Sequence, residues 1–266
     1  MLKRLFSKRK KDQYGWFGHY SSWDKVASKT AGYDTDVILE RTRDSMLKIK
    51  SGEAVYERDS VLFDKKEYPY SMIAFLMLSA SLQKRPLNII DFGGSLGTTY
   101  YQLKEFLTPD LCASWNIIEQ EHYVTCGKAN FENEVLKFYS SIDACQAEKK
   151  IDCIVLSSSV QYLEKPHEFL KKLAAYNFDF IIFDRTAFNR GEGDRLTLQV
   201  VPPSIYPASY PAWFFDMDFF LGHFSYRYKV VANFRSYVEG EANLLIDGKV
   251  AGTGQGFYLI NLSTYA

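Results

Sequence analysis

Leu87-Asn-Ile-Ile-Asp-Phe-Gly-Gly-Ser-Leu-Gly97 is the stretch that decides the fold. Its first half is a short apolar, β-branched run that closes on an acid, Asp91. Its second half is a glycine turn, and TTYYQLKEFL after it reads as a helix that Pro109 ends. A chain that leaves a strand, turns sharply and starts a helix needs backbone angles closed to most residues. Gly93 and Gly94 supply them and let a ligand approach the main chain. The helix that follows begins with free N–H groups and the positive end of its dipole.

Downstream the pattern repeats. WNIIEQ (115–120), LKFYSSI (136–142), IDCIVLSSS (151–159) and FDFIIFD (178–184) are continuous apolar runs. HYVTCGKANFE and EKPHEFLKKLAAY lie between them as helix candidates, the latter with Pro166 near its start. Continuous apolar strands spaced by helices imply a parallel sheet covered on both faces. With right-handed crossovers this is an α/β, Rossmann-like, doubly wound fold. Further on, YKVVANFRS and GQGFYLINL read as strands, and ANLLIDGKVAG as a hairpin turning at Asp247-Gly248.

The flanks differ in texture. Residues 1–86 form a helical, aromatic extension expected to act as a lid, and residues 87–266 the main domain. In the extension, Ser21 or Ser22 caps a helix at Trp23, and Asp34 or Thr35 caps a helix over Asp36–Ile49 that Gly52 ends. Pro69 opens a helix over Tyr70–Leu82, whose apolar residues almost encircle it and imply burial. Residues from about 185 to 216 are polar, aromatic and proline-rich and read as a long functional loop.

Composition excludes several classes. The 266 residues carry 32 basic and 32 acidic side chains, so no global field favours nucleic acid. Cys112, Cys126, Cys145 and Cys153 form no C-x-x-C pair, and His19, His122, His167 and His223 show no ligand spacing, so no metal site is expected. No apolar run approaches the length of a membrane span, and reduced thiols point to a cytoplasmic protein. The basic start, MLKRLFSKRKK, suits either weak peripheral contact with an anionic membrane or a solvated terminus. Oligomeric state is not readable.

The candidate site follows from the strand ends. The glycine turn suits a dinucleotide pyrophosphate or the polar part of S-adenosylmethionine. Asp91 could receive the ammonium of a methionine moiety, whereas a diphosphate disfavours an acid there. About twenty residues on, Glu119 ends the second strand, where an acid can accept hydrogen bonds from both ribose hydroxyls. Gly93, Gly94, Gly97 and Ser157 complete the cofactor set, with Ser158, Gln161 and Tyr162 as further pocket candidates. After the fifth strand, Asp184 is a base candidate for a hydroxyl acceptor. Arg185 could hold an acceptor carboxylate or phosphate, or form an ion pair with Asp184. His223 is a second base candidate, and Gln199, Tyr206, Tyr210 and Trp213 are candidates for an acceptor pocket.

IIDFGGSLG, WNIIE and IDCIVLSSSVQYL resemble the first, second and fourth strands of class I S-adenosylmethionine-dependent methyltransferases. FGHYSSW, AGYD, YERDSV and YPASYPAWFF look like a bacterial methyltransferase family associated with surface-polysaccharide gene sets, and that match covers nearly the whole chain. The resemblance implies a seven-stranded sheet with an antiparallel strand among its last two, S-adenosylmethionine as cofactor, and a small-molecule or glycan acceptor. It also implies an apolar residue and an acid near the adenine, for which Ile142 and Asp143 are candidates; Asp143 reads equally as a helix cap. One departure matters. The family's D-x-G-x-G-x-G keeps Asp91, Gly93 and Gly97 but has Ser95 at the central glycine, and Gly94 is expected to serve in its place. Two other readings stay open: a nicotinamide-dependent oxidoreductase or epimerase, whose G-x-G-x-x-G turn and Y-x-x-x-K pair are missing, and a non-catalytic cofactor-binding protein.

Overall fold

The computed structural model describes residues 14–30, 36–206 and 208–265. The basic run 1–11 and the cap candidates Asp34 and Thr35 lie outside the described residues. Before the glycine turn come β1 (Gly15–Tyr20), α1 (Trp23–Ala27), α2 (Asp36–Ser51), β2 (Tyr56–Arg58), β3 (Val61–Phe63) and α3 (Tyr70–Gln83). The alternating region holds β4 (Leu87–Phe92), α4 (Thr98–Leu103), β5 (Cys112–Ile118), α5 (Glu121–Asn130), β6 (Leu136–Tyr139), α6 (Ile142–Glu148), β7 (Cys153–Ser157), α7 (Pro166–Ala175) and β8 (Phe180–Asn189). The remainder holds β9 (Arg195–Val200), β10 (Ser209–Phe214), α8 (Met217–Gly222), β11 (Tyr228–Arg235), β12 (Leu244–Ile246) and β13 (Lys249–Asn261).

Strands β6-β5-β4-β7-β8 pair in that order and all in parallel. β13 then runs antiparallel to β8, and β11 antiparallel to β13. This is the mixed, mostly parallel, Rossmann-like sheet expected. Alternation along the strands builds its two faces. Leu87 and Ile89, Cys153 and Val155, Phe180 and Ile182 join one buried cluster with Met72 and Leu76 of α3. Ile90, Ile154, Leu156, Ile181 and Phe183 join another with Leu170 and Leu173 of α7 and Phe220 of α8. Successive side chains of a strand point to opposite faces, so each central strand is apolar throughout.

Helix α3 differs from its expectation. It buries Met72, Ile73, Leu76 and Ala80 but leaves Tyr70, Met77, Leu78 and Leu82 exposed. The sheet offers one face to cover, so an evenly apolar helix keeps part of its apolar surface in solvent. Among the described residues no helix is long and apolar enough to cross a membrane.

The segment read as a loop, about 185–216, is mostly strand. β8 runs on to Asn189, and β9 and β10 pair antiparallel from Val200–Ser209 to Arg195–Phe214. β13 is long enough to pair with β8 along one edge while its other edge serves β12 first and β11 afterwards. Through β12 the sheet continues to β1, β9 and β10. Beyond β10 it returns to β8: Asn189 N–H donates to the Phe215 carbonyl at 2.8 Å and Phe215 N–H to that of Ala187 at 2.9 Å. The extended ends of β8 and β13, with β12, β1, β9 and β10, thus form a closed ring of strands at the carboxyl end of β8. The hairpin turn at Asp247-Gly248 has φ of 53° and 73°, the paired left-handed angles of the tightest hairpins.

Candidate functional site

The glycine turn shapes the floor of a cleft of about 640 Å3. Gly93, Ser95 and Gly97 have φ of 71°, 54° and 100°. The left-handed conformation expected of a glycine at the central position is thus adopted by Ser95 itself, at a steric cost that glycine would avoid. Gly94 does not take over that role. It is needed for space: a Cβ there would lie 2.6 Å from the Asp91 carboxylate. At Gly93 a Cβ would come within 2.8 Å of Ser159.

The structure brings Asp91, Gly93, Gly94, Glu119, Ser157, Asp184 and Arg185 together in this cleft. Asp91 is 1% exposed, and its carboxylate accepts from the Trp115 indole N–H at 3.1 Å. Burial, with no cation beside it, pushes its pKa up to about 7. Glu119 accepts from the backbone N–H of Ser95 at 3.2 Å and of Gln120 at 2.9 Å. Burial raises it as well. Glu119 therefore braces the strained turn from the neighbouring strand, and each of its oxygens keeps a lone pair for a ligand hydroxyl. Asp184 accepts from the Ser157 hydroxyl at 3.1 Å and is raised to about 6, again by burial.

Five candidates lie elsewhere or are already engaged. Arg185 reaches the cleft, but its guanidinium is held by Glu241, Nε and Nη2 donating to the two carboxylate oxygens at 2.7–3.2 Å. Its partner is Glu241 and not Asp184, and its charge is spent. His223 lies in a surface cluster, its Nε2 2.9 Å from Nδ1 of His167, which in turn meets Asp194. It borders no cavity described here. Ile142, the first residue of α6, is packed in the core. Asp143 is exposed and bonded to Lys172 and Tyr176, and the cap of α6 is Ser141. Gly97 starts α4 at the rear of the turn and does not line the cleft.

The extension contributes residues that the sequence offered only within the motif YERDSV, with no role attached. β2 and β3 are joined by Asp59 and Ser60, with φ of 54° and 65°, a two-residue turn that carries the hairpin tip into the cleft. Glu57, 3% exposed, ties that hairpin down: it accepts from Thr98 Oγ1 at 2.5 Å and from Ser60 N–H at 2.6 Å. Burial pushes Glu57 up to about 7. Tyr56, Arg58, Tyr123 and Tyr237 complete this wall. In the sequence, Glu57 and Asp59 sit in a short polar stretch that looks like an ordinary turn. Besides the resemblance of YERDSV, the local signal was a two-residue gap between YER and VLF.

The raised carboxylates have a measurable consequence. Unfolded, Asp and Glu titrate near 4. Asp91 and Glu57 titrate near 7 when folded, so the folded state holds protons that the unfolded state has lost. Their stabilising contribution is complete below about pH 4 and is lost as pH rises through about 7. Asp91→Asn removes one such group. Urea denaturation at pH 5 and pH 7 is expected to show the variant gaining on the wild type at the higher pH. An equal difference at both would show that Asp91 is not the group responsible.

No family model matches the chain, and no curated protein matches it. Among solved structures, the chain is similar to the N-terminal domain of EvdMO1 in the presence of SAH and D-fucose: 11% identity over 86% of this chain and 99% of that one, TM-score 0.47. It is similar to an S-adenosylmethionine-dependent methyltransferase from Clostridium acetobutylicum ATCC 824, at 11% identity over 80% and 94% of the two chains, TM-score 0.45. It is also similar to SAM-bound CalS10, an amino pentose methyltransferase from Micromonospora echinaspora, at 9% identity over 71% and 90%, TM-score 0.44. At such identities and scores, no ligand or activity passes from those proteins to this chain.

Proposed function

We propose that the chain catalyses S-adenosylmethionine-dependent methyl transfer to a small-molecule or glycan acceptor. The observation that carries this reading is the charge of the cleft. Among the described residues, five acids line it: Glu57, Asp59, Asp91, Glu119 and Asp184. The two arginines present are both committed elsewhere, Arg58 to Glu67 and Arg185 to Glu241. An acidic cleft over a glycine turn repels the two phosphates of a dinucleotide. It suits a ligand that carries a sulfonium and an ammonium against a single carboxylate.

The residues present fit that cofactor. Asp91, buried without a cation, would hold the ammonium, and Glu119 the ribose hydroxyls. The glycine turn leaves room for close approach of the main chain. Bound there, S-adenosylmethionine supplies an electrophilic methyl group. A hydroxyl acceptor methylated there would have to give up its proton. Asp184 would take it, since it lines the cleft and a carboxylate raised to about 6 is a better base near neutral pH than an ordinary one. Orienting donor and acceptor supplies much of the remaining rate. The N-terminal extension, whose hairpin and helices α1 and α2 wall the cleft, would act as its lid. The resemblance in the sequence points to a sugar of a surface-polysaccharide precursor as the acceptor.

Calorimetric titration with S-adenosylhomocysteine, with NAD as control ligand, tests the reading. Micromolar binding of the former, about −8 kcal/mol, and none of the latter is expected. No binding, or preference for NAD, would remove the methyltransferase reading and leave the fold alone. Binding without methyl transfer to any acceptor would favour a non-catalytic cofactor-binding protein.

A further inference from the structure

Beside the cleft lies a second chamber of about 370 Å3. The two spaces share Asp59, Ser158, Tyr162, Arg185, Tyr206 and Tyr210, so they meet at the tip of the β2–β3 hairpin. Each strand of the closed ring gives the chamber a wall residue: Trp16 from β1, Ala187 from β8, Gln199 from β9, Trp213 from β10, Leu244 from β12 and Gly254 from β13. The chamber is thus the mouth of the ring, a common place for a small-molecule site, and its volume lies within the usual range for one.

We propose that this chamber is the acceptor site and that it takes a hydroxylated ring bearing no anionic group. The assignment of the chamber to the acceptor rests on the methyltransferase reading. The ligand class follows from the walls. Trp16, Tyr162, Tyr206, Tyr210 and Trp213 offer apolar ring surface suited to the C–H faces of a saturated ring. Polar groups are set among them. The Gln199 Oε1 accepts from both the Trp16 indole at 3.1 Å and the Tyr162 hydroxyl at 3.0 Å. Those two donors fix the orientation of the amide. Its Nε2 is left as a defined donor with no hydrogen bond to protein among the described residues. Gln161, 4% exposed and also in the wall, donates to Ser158 Oγ and the Arg185 carbonyl, while its own Oε1 has no partner. An all-apolar ligand would leave the polar requirements of these two amides unmet.

Charge excludes the anionic alternatives. Arg185 is the basic residue in the chamber wall among the described residues, and Glu241 neutralises it. Asp59 adds a further negative charge where cleft and chamber meet. A phosphate or carboxylate on the ring would meet net negative charge there with no free cation to receive it.

Ligand-observed saturation-transfer NMR on the full chain with S-adenosylhomocysteine present tests this. The probes are methyl α-D-glucopyranoside and D-glucose 6-phosphate. The neutral probe is expected to bind and the phosphate not. Gln199→Glu keeps the acceptor for Trp16 and Tyr162 but removes the amide donor, and is expected to weaken the neutral probe at least about tenfold, as the loss of one well-made hydrogen bond implies. Asp59→Asn keeps a residue that this turn favours and removes the repulsion but adds no cation, so the phosphate is still expected not to bind. Equal binding of both probes, retention of the neutral probe by Gln199→Glu, or no binding of the neutral probe would overturn the proposal. Titration of S-adenosylhomocysteine on the same samples reads the cofactor site separately, so loss of one assignment is not mistaken for loss of the other.

Discussion

Glu119→Ala is expected to weaken S-adenosylhomocysteine binding by about 100-fold or more. The carboxylate would accept two ligand hydroxyls, and hydrogen bonds to a charged group contribute about 1.5–3 kcal/mol each, against 1.4 kcal/mol per tenfold in affinity. The same truncation frees the N–H of Ser95, a residue held at φ 54° in the turn, so the floor of the site loses its brace as well. Glu119→Gln keeps one acceptor oxygen and is expected to fall between the two. Calorimetry gives the affinities, and a thermal melt shows whether the variants fold. Wild-type affinity in a folded Glu119→Ala would remove this residue from the cofactor site.

Glu241→Ala is expected to destabilise the protein by about 3 kcal/mol. Arg185 and Glu241 form a bidentate pair whose side chains are 12% and 20% exposed. Removing the carboxylate strands a guanidinium in the wall of both cavities, and breaking a buried pair from one side costs about 3–5 kcal/mol. The lower figure suits a pair that water still reaches. Glu241 also accepts from the Ser236 hydroxyl at 2.5 Å, which adds a second orphan. Replacing both partners, Arg185→Met with Glu241→Met, is expected to recover much of the loss, because no unpaired charge remains. Urea denaturation of the two single variants and the double variant closes the cycle. A Glu241→Ala protein within about 1 kcal/mol of wild type would show the pair to be a surface contact in effect.

The parallel core was legible because its strands are apolar on both sides and end in acids. Asp91 and Glu119 stand where the run of Ile residues stops, and the structure brings both to one cleft. The region from 185 to 216 was misread because Pro202, Pro203, Pro207 and Pro211 look like breakers. Yet LTLQV before them alternates as a strand should, and proline is tolerated at an edge or strand start. Closure of the ring depends on Trp16 meeting Ile246 and Phe188 meeting Phe215, pairings that no local pattern announces. His223 and Asp143 failed for the same kind of reason. Residue type suggested chemistry, but which side of the sheet they occupy is decided by packing. Glu57 and Asp59 were missed because a buried acid and a turn acid look alike in sequence.

The ring of strands also governs when this chain can finish folding. β1, near the start, pairs with β9 and β12, nearly the whole chain away. During synthesis residues 15–20 stay unpaired until β9 has been made, and gain their second partner only with β12. Contacts of such long sequence separation slow folding and prolong exposure of unpaired strand edges. The parallel sheet from β4 to β8 can assemble earlier, since its strands follow one another. A nascent chain halted before β9 would therefore carry the strands that flank the glycine turn and a dangling β1. The chamber proposed for the acceptor, walled in part by β12 and β13, would close only after the parallel sheet had formed.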